Sequence, residues 1–169
     1  MLWGLVGGYL GVELAKWALH ISTSTGDTFV VPVALAIAIG RIGCLMYGCC
    51  YGIETNQHWG LRFPNAPDGG SLLRHPTQLY ELAFHTLFAL LAYRAVRAGS
   101  ARTNVMKGNW MPTYIVAYAA YRFLSEFLRP EARMLAGLTF YQWSSIAIAI
   151  GFSALIIDRM RSRRSQFND

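Results

Sequence analysis

A chain of 169 residues in which 54% are hydrophobic and only 14% charged is poorer in charge than a soluble domain, which carries about 25%. With a mean hydropathy of +0.30 and room for one domain, that balance argues against an ordinary water-soluble enzyme and for a membrane protein. The net charge of +6 does not make it a nucleic-acid binder, because the basic residues gather in two clusters, Arg94, Arg97, Arg102 and Lys107, then Arg159, Arg161, Arg163 and Arg164.

Five segments are candidates to cross a bilayer, which takes about 20 mostly apolar residues each: Met1–His20, Thr28–Cys50, Pro76–Ala98, Trp110–Leu128 and Leu138–Ile157. The predicted fold class is therefore an all-α, polytopic transmembrane bundle forming a single domain over 1–169. Both basic clusters are cytoplasmic under the positive-inside rule, which puts the N-terminus outside and the C-terminus inside. The basic tail then also meets anionic headgroups. The apolar start has no basic n-region and carries Glu13 and Lys16, unlike a signal peptide.

In the first span Gly4, Gly7, Gly8 and Gly11 make overlapping small-xxx-small steps, a pattern that lets helices approach closely in lipid. Glu13 is either an inward-facing functional acid or a partner for Lys16 or another span. A short polar connection, His20–Asp27, leads to the second span, where Pro32 falls in the first turns. Within this span Arg41 stands between Gly40 and Gly43, which either admit a close backbone or leave room for a ligand. A charge at membrane depth costs from about 2.5 to more than 10 kcal/mol, so Arg41 needs a partner or a substrate. Cys44, Cys49 and Cys50 crowd the outer end of this span with no common zinc spacing. They are either soft packing residues or include a disulfide, to Cys44 or to another chain. The outer loop, residues 51–74, is broken by Gly60, Pro64, Pro67, Gly69 and Gly70, and serves as a lid or as a plain connector.

The third span opens with Pro76, well placed at a helix start. Gln78, Glu81 and His85 share one face, a polar stripe fit for interhelical hydrogen bonding or for a ligand. In the fourth span Tyr118, Arg122, Glu126 and Arg129 form a second stripe. Arg122 and Glu126 can pair at i, i+4; Glu126 can also reach Arg129, so the stripe keeps positive charge. Gln142 adds a polar group near the start of the fifth span. Under the inferred topology Arg41, Cys44, Glu81, Tyr118, Arg122, Glu126 and Gln142 lie in the outer half of the membrane, with His75 and Arg129 at its rim. The expectation is an outward-opening, cationic cavity for an anionic ligand such as a lipid phosphate.

Three blocks carry a resemblance. The stretch from Gly40 to Gly52 (GRIGCLMYGCCYG) is similar to the signature Gly-Arg-x-Gly-Asn-Phe-x-Asn-x-Glu-x-x-Gly of the prolipoprotein diacylglyceryl transferases. Arg74 to Glu81 (RHPTQLYE) resembles that family's Arg-His-Pro-Ser-Gln-Leu-Tyr-Glu block. Tyr118 to Glu131 (YAAYRFLSEFLRPE) resembles its penultimate-helix block, and the stretch from Gln142 to Ile146 the start of its last helix. The resemblance implies an N-out, C-in membrane bundle of seven helices in the bacterial cytoplasmic membrane, of which this chain is expected to lack the first two. It implies transfer of diacylglyceryl from phosphatidylglycerol to the lipobox cysteine thiol of a preprolipoprotein, with release of glycerol phosphate and with neither cofactor nor metal.

Arg41 and Arg122 match the family's essential arginines and Tyr118 a functional tyrosine; Glu81 and Glu126 complete the expected catalytic set. Substrate binding is expected from the two arginines with Gly43, Cys44, His75, Gln78, Arg129 and Gln142. Departures are also present. Val6-Gly7-Gly8 stands where the family has His-Gly-Gly, and Cys44 and Cys49 replace an Asn and a Glu. Glu13, Glu81 and His75 are candidate substitutes for the missing base. The alternative readings are a non-catalytic anionic-lipid-binding protein, a thiol redox protein built on the cysteines, and lipid transport or scrambling.

Overall fold

A computed structural model describes residues 1–21, 25–98 and 107–166. Arg102, the side chain of Arg164 and the middle of the His20–Asp27 connection lie outside the described residues. Five α-helices are described: α1 (Leu2–Ala18), α2 (Gly26–Tyr47), α3 (Thr77–Ala98), α4 (Trp110–Ser125) and α5 (Phe140–Gln166). Among the described residues there is no strand, only isolated bridges from Arg74 to Glu54 and Leu61. α2 packs chiefly on α3, and α4 on α5 and, less, on α2 and α1.

The burial pattern explains the bundle. In α2 only Val30, Ala34, Ala38 and Arg41 are buried, a stripe spaced by four, four and three residues. Val31, Val33 and Ile37 are half-buried against the core, while Phe29, Leu35, Ile39, Ile42 and Met46 on the opposite side are exposed. A helix apolar all round but buried along one seam is built for a solvent other than water. Two helices, Gly26–Tyr47 and Phe140–Arg163, are long and apolar enough to cross a membrane. The centre of the bundle is aromatic. Phe84 stacks on Tyr121 at 4.6 Å, and His85 meets Tyr118 edge-on at 4.6 Å.

Local chemistry sets the helix ends. α2 starts before the predicted Thr28 and runs through Pro32. It stops at Gly48, whose φ of 73° is the left-handed conformation glycine adopts freely. There the N–H groups of Gly48 and Cys49 close back onto the carbonyls of Leu45 and Cys44 at 3.1 Å, a Schellman cap. α4 gives way to a 3₁₀ turn, Glu126–Leu128, and then to extended Arg129, because Pro130 excludes helical geometry at the residue before it. Thr139 and Gln142 form a reciprocal capping box at the start of α5. The Gln142 N–H donates to the Thr139 hydroxyl at 3.2 Å, and the Thr139 N–H to Gln142 Oε1 at 3.0 Å.

The expected close packing at the α1 glycines does not occur within the described residues. A Cβ added at Gly4, Gly7, Gly8 or Gly11 would meet no atom within 4 Å. Gly4 and Gly8 instead border an apolar groove of about 590 Å³ between α1 and α2.

The loop 51–74 is a compact cap. Asn65 Nδ2 donates to the Tyr47 carbonyl at 2.6 Å, and Trp59 Nε1 to the Tyr80 hydroxyl at 3.0 Å. Asp68 accepts from the Leu72 N–H and from Arg74 Nη2, both at 2.8 Å. The Leu72 N–H first, and the Arg74 guanidinium after it, hold the Asp68 carboxyl down at about 2. Gly52 is required by close approach: a Cβ there would fall 2.6 Å from the Leu128 carbonyl oxygen.

Candidate functional site

Because the helices alternate in direction, one end of the bundle collects the start of α1, the end of α2, the start of α3, the end of α4 and the start of α5. Arg41, Glu81, Tyr118, Arg122 and Glu126 all lie at that end, all buried.

Glu81 is the hub. Arg41 Nη2 donates to its Oε1 at 2.5 Å, the Tyr118 hydroxyl donates to the same oxygen, and Arg129 Nη2 reaches Oε2 at 3.4 Å. His85, one turn along α3, places Nε2 3.8 Å from Oε1, while its Nδ1 is 2.7 Å from the Tyr114 hydroxyl. A second, smaller pair sits beside this hub. Arg122 Nη2 lies 2.8 Å from Glu126 Oε2, a charge contact without hydrogen-bond alignment, and Glu126 Oε1 accepts from the Thr139 hydroxyl at 3.1 Å. Arg122 also lies over the Tyr141 ring, 5.4 Å from its centroid. Arg129 pairs with Glu81 rather than with Glu126, since the extended residue before Pro130 carries it off the α4 face.

Arg41, Arg122 and Arg129 converge here, with Glu81 and Glu126 as their carboxylate partners. All three arginines line a cavity of about 250 Å³, together with Cys44, Cys50, Tyr118, Glu131, Tyr141 and Ser144. Arg122 Nη1, Arg41 Nε and Arg129 Nε are buried without a hydrogen-bond partner. Buried donors left unpaired cost about 1–3 kcal/mol each, so an oxyanion ligand would find donors already desolvated.

The remaining expected site residues divide. Cys44 lines the cavity, with Arg41 Nη1 4.0 Å from its Sγ. Gly43 does not: it is exposed and faces open space. Gln78 is buried but spends Nε2 on the Cys49 carbonyl at 2.6 Å, and Gln142 is spent on the capping box and on the Phe123 carbonyl at 3.3 Å. Both hold backbone. His75 lies in the cap, its Nδ1 3.1 Å from the Tyr80 hydroxyl. Glu13 pairs with Lys16 at 2.7 Å and lies 3.9 Å from Arg159, at the far end of α1 and about 16 Å along it from Leu2. That distance removes Glu13 as a base for this cavity. The three cysteines are free thiols. Thr139 and Glu131 join the site without having been expected there, while His85 joins it from the polar stripe it shares with Glu81. For His85 the sequence carries a signal, its place at i, i+4 from Glu81; for Thr139 the pairing crosses elements.

Comparison with protein-family models matches residues 3–157 to the family described as prolipoprotein diacylglyceryl transferase. A Clostridium perfringens protein named phosphatidylglycerol-prolipoprotein diacylglyceryl transferase 2 is 36% identical over 95% of this chain and 62% of its own length. A Bordetella parapertussis protein named as the same transferase is 33% identical over 91% of this chain and 58% of its own. A Clostridium tetani relative is 34% identical, over 95% and 62% respectively. The chain thus spans about three fifths of the length of these relatives. No solved structure matches it. By the extent of the family match and of the identity to these relatives, the chain belongs to the prolipoprotein diacylglyceryl transferase family.

Proposed function

We propose that this chain is a diacylglyceryl transferase of a bacterial cytoplasmic membrane. It moves the diacylglyceryl group of phosphatidylglycerol to the lipobox cysteine thiol of a preprolipoprotein and releases glycerol phosphate. In this reading all five helices cross the bilayer, N-terminus out and C-terminus in, and the cavity opens outward. The orientation is supported by the positive-inside rule, since Arg94, Arg97, Arg159 and Arg161 lie on the half of the bundle away from the cavity. The substrate pair is supported by the names of the relatives.

The observation that carries the reading is the convergence of three guanidinium groups, each with a buried and unpaired N–H donor, around one cavity. In the reaction the acceptor sulfur bonds to a glyceryl carbon while that carbon's bond to the phosphate oxygen breaks. The electron pair leaves with glycerol phosphate, and the thiol proton passes to a base. A phosphodiester with one negative charge becomes a monoester with more. The arginines are therefore attracted more strongly as the reaction proceeds, the condition for lowering a barrier rather than only binding substrate. Arg41 is oriented by Glu81 and Tyr118; Arg122, with Nη1 unpaired, is the freer clamp. Glu81 has its oxygens committed to Arg41, Tyr118 and Arg129, so it acts as a positioning residue. Glu131, the acid among the cavity-lining residues, is our choice for the proton acceptor.

The test supplies phosphatidylglycerol and a lipobox peptide to purified protein in micelles and measures released glycerol phosphate. Release that falls in Arg122→Gln, with the fold intact by circular dichroism, supports the reading. No release from the parent protein overturns it. One observation favours a second reading, a lipid-binding protein without catalysis: a buried valine, Val6, takes the place of the family's histidine. That reading expects phosphatidylglycerol to co-purify and no glycerol phosphate to appear.

A further inference from the structure

The cysteines are not spaced like metal ligands along the chain, but the end of α2 brings them together. The Schellman cap at Gly48 reverses the backbone, so that the Cys49 N–H bonds the Cys44 carbonyl at 3.1 Å. Cys50 follows with φ of 65°, a left-handed conformation uncommon for a residue with a side chain. Two buried side chains at the start of α3 hold this turn. Gln78 donates to the Cys49 carbonyl and the Thr77 hydroxyl to the Cys50 carbonyl, each at 2.6 Å. The three Sγ atoms lie within 4.8 Å of one another, with Cys49 and Cys50 at 3.6 Å. Zinc bonds of about 2.3 Å in tetrahedral geometry set sulfur atoms about 3.8 Å apart, so the trio closes around a cation with small side-chain shifts. Cys50 is exposed, which provides an entry path. The Arg41 guanidinium lies 4.0 Å from Cys44 Sγ, at the edge of the trio.

We propose that Cys44, Cys49 and Cys50 form a three-thiolate site for a soft, thiophilic cation such as zinc, with its fourth position open beside the arginine cavity. Soft thiolate donors select zinc, cadmium or copper(I) over oxygen-seeking cations, and three protein ligands with one open position are the pattern of reactive zinc sites. A disulfide would use two of the thiols and strand the third, and the closest pair is vicinal. Resting on the transferase reading, the open position suits the acceptor cysteine, because a coordinated thiol is deprotonated outright. Cys44 and Cys50 line the same cavity as Arg41 and Arg122. The sulfur held there attacks the glyceryl carbon, glycerol phosphate leaves with the carbon–oxygen electron pair, and the thiol proton has already passed to Glu131 or to water. No oxidant or reductant is needed. The site thereby stands in for the base lost with the family's histidine.

The test is a cadmium titration of the reduced full chain in micelles without phosphatidylglycerol, following the thiolate-to-cadmium charge-transfer band in the ultraviolet. The expected result is saturation at one cadmium per chain, about a third less intensity in Cys50→Ser, and at least about tenfold weaker affinity in Cys44→Ser. A lipobox peptide then raises the band, and its Cys→Ser version does not. No band, an equal band in both variants, or a native disulfide among these cysteines by mass would overturn the site. A band that ignores the peptide would overturn the acceptor role. Because the titration contains no lipid, its outcome is separate from that of the transferase assay.

Discussion

The two ends of the bundle use the same residue types to opposite effect. At the cavity end, buried Arg41 and Arg122 and half-buried Arg129 meet Glu81 and Glu126, of which Glu81 is only 1% exposed. At the other end, Glu13 pairs with Lys16 and Arg159 with about a third of its side chain accessible, and Asp27 accepts from the backbone N–H groups of Gly108 and Trp110. An ion pair of the second kind is worth about 0–1 kcal/mol. Breaking one of the first kind by removing a partner costs about 3–5 kcal/mol, since it strands a buried charge. Charge at the far end fastens helices at a wet boundary. Charge at the cavity end is retained at a cost, which points to a task beyond stability.

The sharpest way to break this contrast is Arg122→Gln. It should lower glycerol phosphate release by about 10²–10³-fold, the scale of losing one charge-stabilising donor, because its contact with Glu126 is not hydrogen-bond aligned. A change under threefold, measured on folded protein, would make Arg122 merely structural. Glu81→Gln should come next. It leaves Arg41 and Arg129 without their acid and should destabilise by about 3–5 kcal/mol in a denaturant titration. Unaltered stability would mean that the hub is not the organiser of the site. Thr139→Val removes the hydroxyl that joins the capping box to Glu126 and should cost about 0.5–2 kcal/mol by the same titration. At the far end Lys16→Ala should cost no more than about 1 kcal/mol; a larger loss would erase the distinction between the ends.

The smallest effect concerns the cap. Asp68 has its carboxyl lowered from 3.8 to about 2. Its contribution to loop order is therefore complete above pH 3.8 and lost as pH falls through about 2. Trp59 fluorescence, reporting the Tyr80 contact, should follow that acid transition in the parent and lose it in Asp68→Asn.

Much of the bundle and of its charged site is legible in the amino-acid sequence, for reasons that can be named. Arg122 with Glu126, and Glu81 with His85, lie one turn apart on single helices, so periodicity alone pairs them. The apolar runs and the proline before α3 locate the helices within a few residues, except that α5 runs on past the predicted Ile157 to Gln166. Gly43, Gln78 and Gln142 do not line the arginine cavity, because a motif assigns a residue to a site without saying which atom it touches. Gln78 and Gln142 hold backbone, and Gly43 faces outward.

The sequence by itself determined that this is an apolar helical chain of the diacylglyceryl transferase family with two arginines inside long apolar segments. Those properties reside in composition and in periods of three and four residues, which each segment carries alone. Tertiary structure decided that Arg129 crosses to Glu81, that Thr139 reaches back to Glu126, and that a Schellman turn gathers three cysteines beside the cavity. Each of these depends on the angle at which one element leaves another. That angle is set by caps, by the residue before a proline and by packing between helices, and the last of these no linear pattern encodes.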